Sequence, residues 1–355
     1  MTAPIRILTA VPICDGHDSA INTINLEFIR HGIEVVYLGY HRSARDIVRA
    51  AIQEGVRAIG ISSYNGGHVE FFAEVIGLLK KQHASHIGVF GGGGGTITKA
   101  EAAIMQRRGV DRIFFAGTPL AEMVAFVKQY GVTRAILPAN SPPQPILPAI
   151  RKTPRAGLPA LLGVAGPGGA GKTTLIDELV LRFLNTKPGA RIAILSHDPS
   201  IVGGGALLGD RATMIYSQDD RVFMRSLATR GRAGGLSPET ERWLRAMRRG
   251  AFDVVLVETV GVGQEAMPFR RGLVDKTIFV MSPDYGSRLQ LQKIAMLDLA
   301  DIVVVNKSDL AGASTAAAEI QERLAANQRG QRVIATVAKR HRDAGVDRLF
   351  EEVCK

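Results

Sequence analysis

Short apolar runs alternate with longer amphipathic stretches along the first third of the chain. Apolar runs bounded by turn residues predict buried strands, and stretches with apolar positions three and four residues apart predict helices. The predicted strands lie near residues 5–11, 35–38, 58–62, 87–90 and 112–115. Because each strand precedes a helix, the pattern predicts an α/β fold with a doubly wound parallel sheet of the flavodoxin-like (Rossmann) type.

The same alternation begins again after residue 160. Predicted strands lie near residues 161–166, 191–196, 254–258, 277–281, 302–306 and 333–337. A stretch from 198 to about 221 shows no regular pattern. A glycine-rich turn joins the first of these strands to a helical stretch, which is typical of P-loop nucleotide hydrolases.

Prolines mark the boundary between the two series. Seven of the sixteen prolines lie between Pro138 and Pro159. Proline lacks a backbone N–H and fixes its φ angle, so this stretch predicts an extended spacer rather than a helix or a sheet interior. We therefore predict a first domain over residues 1–135, a proline-rich linker over 136–158 and a second domain over 159–355.

The chain is basic, with a formal net charge of +11 and nine arginines between Arg211 and Arg249. Basic surfaces attract phosphate, yet no helix-turn-helix, zinc-finger or aromatic-stacking pattern accompanies these arginines. We therefore expect no nucleic-acid partner. We interpret the arginines as a solvated face or as a contact surface for an acidic partner.

The chain carries no sign of a membrane or secretory segment. No apolar run approaches the roughly 20 residues that span a bilayer, and the N-terminus lacks the basic-then-apolar layout of a signal peptide. The only cysteines are Cys14 and Cys354, so no disulfide framework is expected. We expect a cytoplasmic protein without a membrane partner.

Residues 166–173 have the order of a phosphate-binding loop. Backbone N–H groups of such a loop and of the helix that follows surround the phosphates. Lys172 would bridge the β- and γ-phosphates, and the Thr173 hydroxyl would bind Mg²⁺. The predicted nucleotide contacts are Gly168, Gly169, Ala170, Gly171, Lys172, Thr173 and Thr174.

The segment Asn306-Lys307-Ser308-Asp309 follows a predicted strand, at the edge where a base would lie. A carboxylate can accept hydrogen bonds from guanine N1–H and the guanine amino group, whereas adenine offers an acceptor at N1. Asn306, Lys307 and Asp309 therefore predict a GTP or GDP site rather than an ATP site.

Glu258 ends a predicted buried strand and stands before two glycines. A carboxylate in this position can hold Mg²⁺ directly or through water, and the glycines let the next segment move with the γ-phosphate. Asp198 and Asp210 are further candidate Mg²⁺ ligands. The alternative for each of them is a helix cap or a solvated turn residue. The candidate catalytic residues are Lys172, Glu258 and Gln264, with Arg211, Arg225 and Arg230 as candidates for stabilising the transferred charge.

Residues 196–200 (SHDPS), 203–211 (GGGALLGDR), 224–231 (MRSLATRG) and 258–264 (ETVGVGQ) carry a family resemblance. Together they resemble the metallochaperone GTPases that serve methylmalonyl-CoA mutase. The resemblance implies that GTP binding and hydrolysis are coupled to delivery of adenosylcobalamin and to ejection of damaged cofactor. Glu265-Ala266 departs from the Ser-Glu that is common in that family.

Asp15 and His17 lie in the loop after the first predicted strand. In a doubly wound sheet, ligands bind outside the carboxyl ends of the strands, where Ser62 and the glycines of residues 91–95 also fall. Neutral imidazole suits a transition metal such as cobalt, and a neighbouring carboxylate can hold the other ring nitrogen.

The spacing of these residues resembles the cobalamin-binding domains of acyl-CoA mutases and methionine synthase. The resemblance implies that His17 displaces the dimethylbenzimidazole tail from cobalt, that Asp15 supports His17 and that Ser62 contacts the tail. It also implies that the glycine loop lets the backbone approach the tail where any Cβ would clash. His68 is either a pocket-wall residue or a helix cap. The implied cofactor contacts are Asp15, His17, Asp18, Ser62, Tyr64, Gly66, Gly67, Gly91, Gly92 and Gly93.

The order of the two domains resembles that of the fused isobutyryl-CoA mutases, without their acyl-CoA-binding barrel. This implies a GTP-hydrolysing, adenosylcobalamin-binding component and chaperone of an acyl-CoA mutase whose barrel is a separate large subunit. A cobalamin adenosyltransferase is a further candidate partner, and we expect a homo- or hetero-oligomer. The alternative is a non-catalytic cobalamin carrier or sensor with a GTPase switch; a truncated longer fusion ranks lower.

Overall fold

A computed structural model describes residues 4–13, 15, 19–133, 160–201, 204–250, 252–261, 268–269, 272–284, 295–327 and 329–355. The chain forms two compact units. Unit 1 comprises Met1–Ala149 and Pro199–Ala212, and unit 2 comprises Ile150–Asp198 and Thr213–Lys355. Within the described ranges, no helix is long and apolar enough to cross a bilayer.

Unit 1 is built on a parallel sheet that alternates with helices. Its first strands are β1 (Arg6–Ala10), β2 (Glu34–Tyr37), β3 (Ala58–Ser62), β4 (Gly88–Gly92) and β5 (Arg112–Phe114). The helices between and after them are α1 (Ser19–Arg30), α2 (Ala44–Gln53), α3 (His68–Lys81), α4 (Lys99–Arg107) and α5 (Leu120–Thr133). The strand order β5-β4-β3-β1-β2 confirms the predicted flavodoxin-like sheet.

Unit 2 is a second parallel α/β sheet. Its strands are β6 (Ala160–Ala165), β7 (Ile192–Asp198), β9 (Val222–Ala228), β10 (Val254–Glu258), β11 (Lys276–Met281), β12 (Ile302–Val305) and β13 (Arg332–Ala335). Its helices are α6 (Lys172–Thr186), α8 (Thr240–Arg248), α9 (Ala295–Leu299), α10 (Ala313–Ala326) and α11 (Ala344–Val353). The order β13-β12-β11-β6-β10-β7-β9 places β6 between β10 and β11.

The central strands of unit 2 are apolar because both of their faces are covered. Every residue of β10 is buried, and Glu258 at its carboxyl end is its one charged residue. Glu258 is the register partner of Val164 in β6, immediately before the glycine-rich loop. The sheet register therefore brings the end of β10 beside that loop.

The stretch predicted as irregular between β7 and β9 contains regular structure. It includes strand β8 (Ala206–Leu208), the short helix α7 (Asp210–Thr213) and a 3-10 turn at Tyr216–Gln218. Strand β8 pairs in parallel with β2, so it belongs to the sheet of unit 1, although it follows the proline-rich segment in sequence. A three-residue strand is too short to show a period, which is why the sequence pattern did not reveal it.

Candidate functional site

The glycine-rich loop of unit 2 runs from β6 into α6. Gly166 has a φ of +147°, and a Cβ there would lie 2.0 Å from the carbonyl oxygen of Val280, so glycine is required. At Gly168 and Gly169 an added Cβ would meet no atom within 4 Å. That part of the loop therefore faces open space, as a phosphate-binding loop must.

Lys172 begins α6 and is 6% exposed. Its ammonium group donates hydrogen bonds to the carbonyl oxygens of Gly166 and Pro167, each across 3.0 Å. The loop thus wraps around a buried cation. This charge, together with the N-terminus of a fifteen-residue helix, creates a positive environment suited to phosphate.

Thr173 and Glu258 meet beside this loop. The Thr173 hydroxyl donates a hydrogen bond to Glu258 Oε1 across 2.7 Å, and Glu258 is 3% exposed. A hydroxyl and a carboxylate are oxygen ligands of the type that Mg²⁺ prefers, so the pair fits that ion. The segment after β10 also approaches the loop, because a Cβ on Gly261 would lie 2.5 Å from Gly168 Cα.

The other predicted metal and catalytic residues have different positions. Asp198 ends β7 in unit 2, and its carbonyl oxygen accepts a hydrogen bond from Thr229 N–H across 3.0 Å. Asp210 begins α7 within unit 1. Gln264 lies outside the described residues. The structure therefore brings Lys172, Thr173 and Glu258 together.

Asn306 follows β12 and braces the phosphate loop. Its Nδ2 donates to the carbonyl oxygen of Ala170 across 2.9 Å. Its Oδ1 accepts hydrogen bonds from the Thr336 hydroxyl and from Ala338 N–H, each across 3.0 Å. The side chain is 2% exposed, so its polar atoms are satisfied by these contacts within the protein. Asn306 therefore orders the loops after β6 and β13.

Asp309 forms an ion pair with Lys339 across 2.5 Å. The hydrogen bond from Lys339 holds the pKa of the Asp309 carboxyl below its usual value, which keeps it ionised as an acceptor. Lys307, between these site residues, has a φ of +57°, a backbone conformation that is uncommon for lysine. Asn306, Lys307 and Asp309 thus lie on one ordered turn.

Two groups in unit 2 were missed by the sequence prediction. Thr336 and Lys339 follow β13. The sequence could have indicated them, because β13 ends at the same sheet edge as the strands that carry the other site residues. His197 is fully buried, with Nδ1 2.6 Å from the carbonyl oxygen of Glu258 and Nε2 2.8 Å from the Thr240 hydroxyl. Nothing in the sequence indicates these contacts of His197, because they depend on the tertiary fold.

Burial lowers the pKa of His197 to about 4, so the ring is neutral near pH 7. Because a carbonyl oxygen only accepts, we assign the ring proton to Nδ1. The Thr240 hydroxyl lies 2.8 Å from Nε2 and 2.7 Å from the Ser237 carbonyl oxygen, and its single proton can be donated to only one of them at a time. The imidazole joins the backbone at the end of β10 to the first turn of α8.

In unit 1, Asp15 links two loops at the carboxyl edge of the sheet. Its side chain is completely buried, and Oδ2 accepts hydrogen bonds from the backbone N–H groups of Tyr64 and Asn65. His17 and Asp18 lie outside the described residues. Asp15 therefore fixes the loop after β3 relative to the loop after β1.

Ser62 is the last residue of β3 and the register partner of Gly92. The next residue, Ser63, is buried, and its hydroxyl lies 3.3 Å from Nδ1 of His68. His68 is itself 3% exposed. The N-cap of α3 is Gly67, so His68 is the first residue of the helix and not its cap.

The glycines at the end of β4 are required by the protein's own backbone. A Cβ at Gly91 would lie 2.5 Å from Ile61 O, one at Gly92 would lie 2.8 Å from Phe114 O and one at Gly93 would lie 2.4 Å from Ser63 O. A cofactor is therefore not needed to explain these three glycines, because neighbouring backbone atoms of the protein already exclude a side chain there.

Other positions of unit 1 leave room for a cofactor. An added Cβ at Gly66 or Gly67 would meet no atom within 4 Å. At Gly94 a Cβ would lie 2.0 Å from the ring of Tyr64. The half-exposed Tyr64 ring therefore packs directly against the Cα of Gly94. The open positions at Gly66 and Gly67 follow β3, at the carboxyl edge where a flavodoxin-like sheet binds its ligand, so they leave room there for a bound group such as cobalamin.

The geometry of unit 2 defines a P-loop nucleotide-binding protein of the GTPase type. Residues 137–355 match the sequence profile of the methylmalonyl-CoA mutase-associated GTPase MeaB, and residues 5–125 match that of the B12 binding domain. The chain belongs to the family of methylmalonyl-CoA mutase-associated GTPases, and it carries a B12-binding domain ahead of the GTPase.

Curated relatives contain both parts in the same order. The chain is 37% identical over 387 residues to the fused isobutyryl-CoA mutase of Cupriavidus metallidurans, covering 98% of this chain and 35% of that protein. It is 35% identical over 394 residues to the fused isobutyryl-CoA mutase of Geobacillus kaustophilus, covering 98% of this chain and 36% of that protein. The chain thus spans about a third of the length of these relatives.

Proposed function

We propose that this chain is the GTP-hydrolysing, adenosylcobalamin-binding component and chaperone of an acyl-CoA carbon-skeleton mutase of the isobutyryl-CoA or methylmalonyl-CoA type. The acyl-CoA-binding barrel is supplied by a separate large subunit. The supporting observation is the occurrence of a B12-binding domain and a mutase-associated GTPase in one chain, in the order found in fused isobutyryl-CoA mutases.

In the nucleotide site, Lys172 neutralises the β- and γ-phosphates, and its hold on the loop carbonyls keeps it in place before the nucleotide arrives. Thr173 and Glu258 hold Mg²⁺, with Asp198 and Asp210 as further candidate ligands. The Asp309 carboxylate accepts hydrogen bonds from guanine N1–H and from the guanine amino group. Gln264 orients the attacking water. The contact of Thr173 with Glu258 favours this arrangement, because it pairs two oxygen ligands before the metal binds.

In the cobalamin site, His17 would bind cobalt and Asp15 would be its supporting carboxylate. The contacts that Asp15 makes with Tyr64 and Asn65 also order the loop that borders the tail pocket. When bound, adenosylcobalamin supplies a carbon radical for the 1,2-rearrangement. This chain contributes the pocket that orients the cofactor and excludes water, and the GTPase gates loading.

The experiment is a visible absorption titration of the purified chain with adenosylcobalamin, with and without GTP and Mg²⁺. Ligation by imidazole changes the corrinoid spectrum, so we expect the change in the wild type and its loss in His17→Ala. An unchanged spectrum together with no GTP turnover would reject the proposal.

A second measurement separates the enzyme from a cobalamin carrier or sensor. The chain is mixed with an acyl-CoA mutase large subunit, and rearrangement of isobutyryl-CoA and methylmalonyl-CoA is assayed with adenosylcobalamin. Rearrangement that requires both polypeptides supports the mutase proposal. Corrinoid binding and GTP turnover without any rearrangement favour the carrier. The same preparation tests association with a cobalamin adenosyltransferase and the oligomeric state.

A further inference from the structure

Strand β8 completes the sheet of unit 1, although its sequence belongs to the stretch that matches the GTPase family. Its register partners in β2 are Glu34 for Ala206, Val35 for Leu207 and Val36 for Leu208. Ala206 and Leu208 are completely buried, whereas Leu207 is 42% exposed. This alternation is that of a half-buried edge strand, so β8 docks through both backbone pairing and side-chain burial.

Gly205 allows the segment to approach helix α1. A Cβ on Gly205 would lie 2.0 Å from the carbonyl oxygen of Ile29. A backbone atom cannot move aside as a flexible side chain can, so any larger residue would push β8 away from this position. Gly209, just after the strand, differs because a Cβ there would meet no atom within 4 Å.

Arg211 anchors the carboxyl end of the segment in the core of unit 1. Its side chain is completely buried, with Nε 3.2 Å from Glu54 Oε1 and Nη2 2.9 Å from Gln53 Oε1. Glu54 is also completely buried and pairs with Arg6 across 3.3 Å. A buried carboxylate is stabilised by such cationic partners, so Arg211 of this segment helps to neutralise the buried Glu54 of unit 1. This placement assigns Arg211 a structural partner in addition to its candidate role at the transferred phosphate.

Both ends of the segment attach to elements of unit 2 that carry the nucleotide site. The chain leaves unit 2 after Asp198, the last residue of β7 and a candidate metal ligand. After its return, the backbone N–H groups of Ile215 and Tyr216 donate to the two carboxylate oxygens of Asp177, across 3.0 and 2.9 Å. Asp177 lies on α6, the helix that begins with Lys172.

We propose that the segment Pro199–Ala212 is the coupling element between the nucleotide site and the cobalamin unit. It is a single covalent stretch whose middle is a strand of unit 1 and whose ends are fixed to β7 and α6 of unit 2. Ordering of β7 and α6 by nucleotide and Mg²⁺ therefore changes how well β8 docks on β2, and the reverse influence follows by reciprocity. This inference rests on the proposed function, since it requires that the chain bind both ligands.

The test compares Gly205→Ala with Gly209→Ala as the matched control. The dissociation constant for adenosylcobalamin is measured by absorption with and without a non-hydrolysable GTP analogue and Mg²⁺. In the wild type and Gly209→Ala we expect the analogue to change this constant by about fivefold or more. In Gly205→Ala we expect a change below about twofold, with the affinity for a fluorescent GTP analogue retained.

Hydrogen exchange of the β2 amides reports docking directly. The Glu34 N–H donates to Ile5 O on the β1 side, so the alternate amides of Val35 and Tyr37 are the ones that face β8. We expect faster exchange at Val35 and Tyr37 in Gly205→Ala than in Gly209→Ala, because these amides lose their neighbour. If Gly205→Ala does not fold, Leu208→Ala replaces it, because it removes a completely buried side chain of β8, and Leu207→Ala, at an exposed position of the same strand, is then the control. The same loss of coupling is expected.

The outcomes separate the inference from the proposed function. Undiminished coupling in Gly205→Ala or unchanged exchange in its β2 amides overturns the inference alone. A wild type that binds both ligands independently overturns the inference and the gating of cofactor loading by the GTPase, but not the binding of the two ligands. A wild type that binds neither ligand overturns the proposed function and the inference with it. Lost coupling with retained nucleotide affinity supports the segment as the link.

Discussion

The Thr173 hydroxyl donates a hydrogen bond to the Glu258 carboxylate although 85 residues separate them in sequence. The register of β10 with β6 produces this contact, because it places the end of one strand beside the loop that follows the other. Two candidate oxygen ligands for Mg²⁺ therefore stand together on a strand and a helix of unit 2.

Thr173→Val removes the hydroxyl and nearly preserves the shape of the side chain. We expect the affinity for GTP in the presence of Mg²⁺ to fall by about tenfold or more, because hydrogen bonds and ligand contacts to charged groups contribute about 1.5–3 kcal/mol. Thr173→Ser, which keeps the hydroxyl, is the matched control. Equilibrium binding with and without Mg²⁺ checks the result, and equal affinities in Thr173→Val and Thr173→Ser would contradict it.

Asp309→Asn replaces an acceptor at the base with an amide that also donates. We expect weaker binding of GTP, by about tenfold, and a gain in affinity for xanthosine triphosphate, whose 2-oxo group accepts a hydrogen bond where guanine has its amino group. Competition of the two nucleotides against a fluorescent analogue measures both changes. A parallel loss for both nucleotides would point to damage to the turn instead.

Asp15→Ala deletes the carboxylate that holds the amides of Tyr64 and Asn65. We expect a loss of roughly 1–3 kcal/mol in the free energy of unfolding and a cobalamin affinity at least about tenfold lower. The control is Asp111→Ala, because Asp111 Oδ2 also accepts from a backbone N–H, that of Val89, and from the Tyr130 hydroxyl. Asp111→Ala should lower stability without lowering cobalamin affinity, and equal affinities in the two variants would refute the assignment.

Asp177 gives unit 2 a dependence on pH. Burial raises the pKa of this carboxyl to about 6 from an ordinary value of 3.8, so the folded state holds the proton more tightly than the unfolded state. The free energy of unfolding should therefore fall as pH rises from about 4 to about 6, by about 3 kcal/mol from this group. Asp177→Asn should lose this dependence, as chemical unfolding across that pH range would measure.

His197 acts in the opposite direction. Its pKa is lowered by burial to about 4, so between about 4 and 6.5 the unfolded state binds the proton and the folded state does not. Stability should rise with pH through that window by about 3 kcal/mol and stay constant above it. Unfolding of His197→Gln should lack this rise. A wild-type profile that matches the variant would show that the ring accepts a proton in the folded state.

The sequence predicted the features that depend on local pattern. Alternating strands and helices predicted β1 to β5 of unit 1 and six of the seven strands of unit 2, whereas β9 was not predicted. The order of β1 to β5 followed from the flavodoxin-like interpretation. The proximity of Lys172, Thr173 and Glu258 followed from a rule about parallel sheets, in which loops at the carboxyl ends of neighbouring strands converge.

Features that depend on tertiary contacts could not be predicted in this way. The pairing of β8 with β2 joins residues about 170 positions apart and leaves no periodic signal in three residues. Gly91, Gly92 and Gly93 were predicted as cofactor contacts, whereas the structure shows that close packing against neighbouring backbone already excludes a side chain at these positions. His17 and Gln264 lie outside the described residues, so their roles remain predictions.

Residues 199–212 match the GTPase family in sequence but fold with unit 1. The boundary between the two sequence families is therefore not the boundary between the two folded units. A gene fragment that ended at the proline-rich stretch would encode β2 as a bare sheet edge and would leave Glu54 in the core without Arg211. Such an edge invites pairing with other chains, and a buried carboxylate that has lost a partner is costly. A cobalamin-binding half taken from this protein would therefore need the distant segment grafted onto it to cover this edge and to neutralise Glu54.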